Sequence, residues 1–301
     1  MGTQLNEPAT AAEAIEAAGL NYQVDLHPLM TEEGIPVPQR KAVVRNDSNA
    51  VLGVVGNSYQ PIQNYQCFGF LDSVVNDGKL RYHTAGALGQ GERVWMLAKL
   101  PGEIRIKDSE DVTEQYLLLS NSHNGSSALR IYFSPIRVVC ANTLGVAERR
   151  SRGQGVSIMH KGNLASKVAE AQNVLGFAKR FYDNLEERIN QLASHYPSQN
   201  QLETYFASLY PDTPKLNNRR RNNIRENLTF LFENGEGQNI PETKLTTWAA
   251  FNAVTEYVDH HRSTRGKTVD EKASRRFESA WFGSGARLKA DAWTAALEMA
   301  G

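Results

Sequence analysis

Apolar residues in the second half of the chain return every three or four positions: Leu164, Val168, Ala171, Leu175, Ala178, Tyr182, Leu185, Ile189 and Leu192. That is the period of an amphipathic helix, and it predicts one across 159–195. Residues 202–209, 219–232, 246–261 and 268–299 also read as helical, punctuated by Pro197, Pro211, Pro214 and Pro241. The first half reads differently. Short apolar runs at 41–45 and 51–55 flank Asn46-Asp47-Ser48-Asn49, which predicts a hairpin. Asn64 is placed to cap a helix whose Phe68, Leu71 and Val75 share one face, and Asn76-Asp77-Gly78 ends it. Strand-like runs follow at 80–85, 93–100 and 115–120, and 130–141 reads as a strand pair or one strand broken at Pro135. Ahead of these, 8–18 predicts a short Ala-rich helix closed by Gly19. Residues 26–40, with Pro28, Gly34, Pro36 and Pro38, read as an extended connector.

Successive strands without room for helices between them exclude a doubly wound parallel sheet. The predicted class is α+β: an antiparallel or mixed β-sheet with packed helices, followed by a mostly helical C-terminal half. Three regions follow: an acidic N-terminal arm and connector over 1–40, a sheet-rich core over 41–145, and a helical region over 146–301 packed on or extending that core.

Composition narrows the class. No apolar run approaches the roughly 20 residues of a membrane helix, and the first residues lack a basic stretch followed by a hydrophobic one. Cys67 and Cys140 are too few for a four-cysteine metal cage and give no sign of a disulfide framework. The expected location is the cytoplasm of a bacterial host cell, with no membrane partner. Net charge is zero, but unevenly spread. Residues 1–34 hold six acids and no Lys or Arg, while 149–180 hold seven bases and one acid, Glu170. Either the acidic head neutralises the basic stretch, or that stretch meets a polyanion.

Catalytic motifs fare poorly. The glycines of Gly86-Ala-Leu-Gly89-Gln-Gly91 are followed by Glu92 rather than Lys and Ser/Thr, and by strand-like residues rather than a helix. They fit a hairpin turn, not a phosphate loop or dinucleotide fingerprint. His260 and His261 are adjacent, so they lie about 100° apart on a helix; four residues before His261 stands Tyr257, not a second histidine. Asp259 joins a metal site only with distant help such as His123. Cys140 with His123 as its base is a conceivable nucleophile, but its setting in Val138-Val139-Cys140-Ala141 suits a buried small hydrophobe better. Asp108, Glu110 and Asp111 read as a solvated loop. Trp248, Asn252 and Glu256, four apart, line a helix face suited to docking. No cofactor is expected, and the reading is non-enzymatic, with a metal-dependent activity as the remaining enzymatic alternative.

The basic residues are the stronger lead. Arg149, Arg150 and Arg152 sit beside Gly153 and Gly155, Lys161 and Lys167 follow, and Arg219, Arg220, Arg221 and Arg225 form a second cluster. With Arg130 and Arg137 they are candidates for phosphate-backbone contact, which gives affinity and salt dependence but little sequence readout. Tyr59 and Tyr132 are the candidates for base stacking, with Tyr65 and Phe133 behind them. Core packing competes for each aromatic, and ion pairing for each arginine. Asn142 and Thr143 are expected to organise a strand-to-helix turn.

Three stretches carry a resemblance: NSYQPIQNYQCFGFLDSVV at 57–75, HNGSSALRIYFSPIRVVCANTL at 123–144 and WAAFNAVTEYVDHHR at 248–262. In these the sequence resembles the phage/plasmid-like protein family catalogued as a domain of unknown function, over roughly residues 40–265, with RVVCANTL the most specific block. The resemblance implies a mobile-element origin and transfers no catalytic residue. The element order is also similar, at the level of fold alone, to the recombination annealing proteins that form rings on single-stranded DNA. The expectation is therefore a homo-oligomeric single-stranded DNA-binding protein, with strand annealing as its task. The alternative is a non-enzymatic structural or protein-interaction factor of a mobile element.

Overall fold

The computed structural model describes residues 2–5, 10–75, 80–144, 155–158, 174–212 and 217–301. These fall into two compact units: Met1–Pro101 with Tyr116–Phe133 and Arg152–Ala178, and Gly102–Gln115 with Ser134–Ser151 and Lys179–Gly301. The units interleave along the chain.

In chain order, the first unit opens with β1 (Thr3–Gln4), α1 (Ala11–Ala17), β2 (Val24–Met30), β3 (Pro36–Arg45), β4 (Val51–Gly56), α2 (Asn64–Val75) and β5 (Arg81–Leu88). Long strands β6 (Arg93–Arg105) and β7 (Val112–Ser122) follow, then β8 (Leu129–Phe133). The chain then passes through β9 (Ile136–Arg137) and β10 (Asn142–Thr143) of the second unit before β11 (Gly155–Ile158). One sheet runs in the order β1-β5-β6-β7-β8-β11; a second consists of β2, β3 and β4. Their registered pairs are antiparallel. β2 and β3 correct the expected connector: residues 24–45 are a strand pair.

Local chemistry explains the boundaries. Thr10 Oγ1 accepts from the Glu13 amide while Glu13 Oε2 accepts from the Thr10 amide, a capping box that starts α1. Ala11, Ala14 and Ile15 are buried on its inner face. At α2, Gln66 Oε1 accepts the Gln63 amide at 3.0 Å. Asn64 has a different task from the predicted cap: its Nδ2 donates to the Leu20 carbonyl at 2.9 Å and its Oδ1 meets His123 Nε2 at 2.9 Å.

In the second unit the distal residues of β6 and β7 form a hairpin, β9 pairs β7 (Thr113 opposite Arg137), and β10 pairs β9. Pro135 breaks the 130–141 segment as predicted. The helices are α3 (Val174–Ser194, which begins in the first unit), α4 (Gln199–Leu209), α5 (Asn218–Asn234), α6 (Thr247–Glu256), α7 (Val269–Phe282) and α8 (Ser284–Ala300). All of α6 is buried, so it is the helix the others surround. Trp248 and Phe251 lie 5.9 Å apart between ring centres, and Phe251 and Trp293 5.1 Å apart at 68°. Two helix predictions are refined: Tyr257–His261 is wound as a π-turn beyond α6, and 268–299 divides at Gly283. The architecture is a mixed or antiparallel sheet region with packed helices followed by a mostly helical C-terminal half, the α+β class predicted.

Candidate functional site

The RVVCANTL block and the EYVDHH helix end meet in the second unit, where they form a dense polar cluster. At the start of the block, Arg137 Nε and Nη2 donate to Asp111 Oδ1 and Oδ2 at 2.7 and 2.5 Å. Nη2 also donates to the Gly237 carbonyl at 2.9 Å. Asp111 further accepts from Thr243 Oγ1 and Trp248 Nε1, each at 3.0 Å. Both charged side chains are fully buried. Burial disfavours the guanidinium charge, but the bonds and negative charge of Asp111 outweigh it and raise the Arg137 pKa. Two expectations are corrected: Arg137 does not face a phosphate backbone, and Asp111 is no solvated acid. An apolar strand that carries an arginine inward needs a counterion, and Asp111 supplies it.

At the other end of the block, Ala141 takes a left-handed turn (φ 51°) into β10. The Thr143 amide and Oγ1 both donate to Asp259 Oδ2 at 2.8 Å. Lys289 Nζ donates to Asp259 Oδ1 at 2.7 Å and to Thr143 Oγ1. Lys289 is fully buried, and desolvation lowers its pKa against the pull of Asp259. Asn142 Oδ1 meets His260 Nε2 at 3.1 Å. Asn142 and Thr143 bond to partners more than a hundred residues away; the segment after Leu144 that would hold the expected strand-to-helix turn lies outside the described residues.

The π-turn determines which side chains meet. Its signature is the Arg262 amide donating to the Tyr257 carbonyl, five residues back, at 2.7 Å. On an α-helix, positions five apart point about 140° away from each other. The wider winding instead brings His261 Nε2 to 3.5 Å from Glu256 Oε1. Glu256 Oε2 accepts the Glu236 amide at 3.1 Å. This i,i+5 pair answers the missing i,i+4 partner noted in the sequence. Among the described residues, no group of three or more His, Cys, Asp or Glu side chains is placed to hold a metal ion. Cys140 is 3% exposed, and burial pushes its thiol up to about 11, so it is protonated at neutral pH. His123, its suggested base, is fully buried in the first unit and engaged with Asn64. Two buried ion pairs clamp both ends of 137–143.

The cations proposed for nucleic acid divide three ways. Arg130 is exposed on β8, where its Nη1 donates to the Tyr132 hydroxyl at 3.2 Å. Alternation puts both on one face, while Leu129, Ile131 and Phe133 are buried on the other. Opposite them on β11 stand Ser157 and Gly155, small residues beside a large cation and ring. Arg219 and Arg220 are exposed in the first turn of α5. Arg221 corrects its prediction: it is buried, with Nε 2.8 Å from Asp212 Oδ1. Tyr59 is corrected likewise, since it is 8% exposed and donates its hydroxyl to the Ser122 carbonyl at 3.2 Å. Arg149, Arg150, Arg152, Lys161 and Lys167 lie outside the described residues.

Sequence reasoning missed Lys289 and the roles of Asp111 and Asp259. Lys289 carried a signal: it falls on the α8 stripe of Gly285, Ala292, Trp293 and Ala296, as the charged member of a buried face. No curated protein and no solved structure matches the chain. The pattern of one family, described as a domain of unknown function (DUF932), matches residues 51–281, which take in Asp111, Arg137 and Asp259 but not Lys289. By that match, which covers most of its length, this chain belongs to the DUF932 family.

Proposed function

We propose that this protein binds single-stranded DNA and acts in strand annealing for a phage or plasmid. The observation that carries the reading is the Arg130–Tyr132 pair, a guanidinium and an aromatic ring on one open face of β8. A cation beside a ring suits a nucleotide, with the charge on the phosphate and the ring against the base. Exposed Arg219 and Arg220 support it, because two arginines in the first turn of α5, at the positive end of its dipole, favour an approaching anion. The base-rich sequence of 149–180 is of the composition that attracts a polyanion. Annealing requires no nucleotide hydrolysis, which accords with the unsuitable glycine loop.

The test is fluorescence anisotropy with labelled single- and double-stranded oligonucleotides at two salt concentrations. Salt-sensitive single-strand binding is expected, and Tyr132→Ala should weaken it by about 5- to 150-fold, the range of one lost stacking contact. No binding by the folded protein at low salt refutes the proposal. A second reading, a protein-interaction factor, draws on the exposed apolar side chains of the β2-β3-β4 sheet.

A further inference from the structure

The chain holds two Asn-Gly steps, Asn124-Gly125 and Asn234-Gly235. In such a step the glycine nitrogen can reach the asparagine side-chain carbonyl carbon, because glycine has no Cβ in the way and turns freely. Attack requires a free N–H and is helped by a polarised carbonyl, and the fold separates the two steps on both counts. Asn124-Gly125 lies in the connection from β7 to β8, where Gly125 takes φ 73° and is exposed together with Ser126. The Ser126 amide donates to Asn124 Oδ1 at 3.0 Å, and the Ser122 hydroxyl donates to the same oxygen at 2.6 Å. A backbone N–H only donates, so the Ser126 bond fixes which atom of the side-chain amide is the oxygen. Two donors on Oδ1 draw electron density from Cγ and stabilise negative charge that develops on that oxygen. Ser122 is buried, and its Oγ also lies 3.0 Å from Ser126 Oγ, which holds it in place. Among the described residues, neither Asn124 Nδ2 nor the Gly125 amide has a hydrogen-bond partner.

Asn234-Gly235 closes α5 and fails the same requirements. The Gly235 amide donates to the Leu231 carbonyl at 2.9 Å, and Asn234 Nδ2 donates to the Phe230 carbonyl at 3.1 Å. The nitrogen that would attack and the nitrogen that would leave are both tied into the last turn of a helix.

We infer that Asn124 is a site of spontaneous deamidation and that the fold protects Asn234. The Gly125 nitrogen, giving its proton to hydroxide, bonds to Asn124 Cγ. The Cγ–Nδ2 bond then breaks, Nδ2 takes a proton from water and leaves as ammonia, and a succinimide ring is closed. Water opens the ring at either carbonyl to give aspartate or isoaspartate, with no oxidation or reduction. The event turns a neutral loop between β7 and β8 into an anionic one, and it does not depend on nucleic-acid binding. The test holds the native protein in mildly alkaline buffer and maps its tryptic peptides by mass. Cleavage at Lys107 and Arg130 frames one step and cleavage at Arg225 and Lys244 the other, and fragment spectra locate the change. Asn124 should gain one dalton at least about fivefold faster than Asn234, the factor for one net hydrogen bond that Gly235 must first give up. In denaturant, with no fold to tell them apart, the two should convert at similar rates. Ser122→Ala should slow Asn124 alone, since one of two polarising donors is gone; an unchanged rate overturns the role given to the serine. Equal rates at Asn124 and Asn234 in the native protein overturn the inference. So does a native Asn124 that stays intact while the denatured chain converts.

Discussion

Single residues in the clamp are under opposing physical demands, and Lys289 shows this best. Burial works against its ammonium, yet Asp259 and Thr143 supply its bonds. A lowered folded-state pKa means the unfolded chain binds more protons between that value and the ordinary 10.5. Stability from this group therefore rises with pH through that window and is lowest below it. Lys289→Met should destabilise by about 1.5–3 kcal/mol near neutrality, the worth of a bond to a charged group, and should lack the rising contribution of the wild type as pH approaches 10.5. Urea titrations across that range read the difference; parallel curves refute it. Cys140, and Cys67 at 0% exposure, give a second prediction. Burial raises both thiols, so a thiol reagent at neutral pH should find none in the native protein and two after denaturation. Prompt reaction of one native thiol would contradict the burial of these strands and helices.

Elements are held by special backbone as well as by side chains. Gly237 follows α5 with φ 75°, and a Cβ there would strike Val139 beside the Arg137 guanidinium. Gly237→Ala therefore combines left-handed strain with a steric clash, and about 1–3 kcal/mol of destabilisation is expected. A thermal midpoint equal to that of the wild type would show that the loop relaxes freely. Much of the element level was legible beforehand. Helical periodicity marks α3 to α6 because burial on one side imposes it, and Pro135 breaks its strand because it lacks an N–H. The π-turn was not legible, since one extra residue per turn leaves no signature in EYVDHH. Nor was the β2–β3 pairing, which proline and glycine disguised as a connector.

Across the molecule, stability and recognition should separate. Asp111 gathers four hydrogen bonds from Arg137, Thr243 and Trp248, so removing either charge strands the other. Arg137→Leu should cost about 3–5 kcal/mol of stability while leaving the salt dependence of DNA binding unchanged where the protein stays folded. Arg130→Glu should do the reverse, leaving the denaturation midpoint alone and lowering the salt slope by about 0.7, one single-strand phosphate contact. Anisotropy and denaturation on the same samples distinguish them; matching effects from both variants would refute the separation. The sequence by itself determined the α+β class, the helical second half, the turn at Pro135 and the family, because periodicity, backbone chemistry and composition are local properties. Only the tertiary structure decided which charged residues face water. Arg130 and Arg137 stand in one short segment, yet one is open and the other buried on Asp111. A counterion 26 positions away in sequence is supplied by the fold, not by any pattern around the arginine.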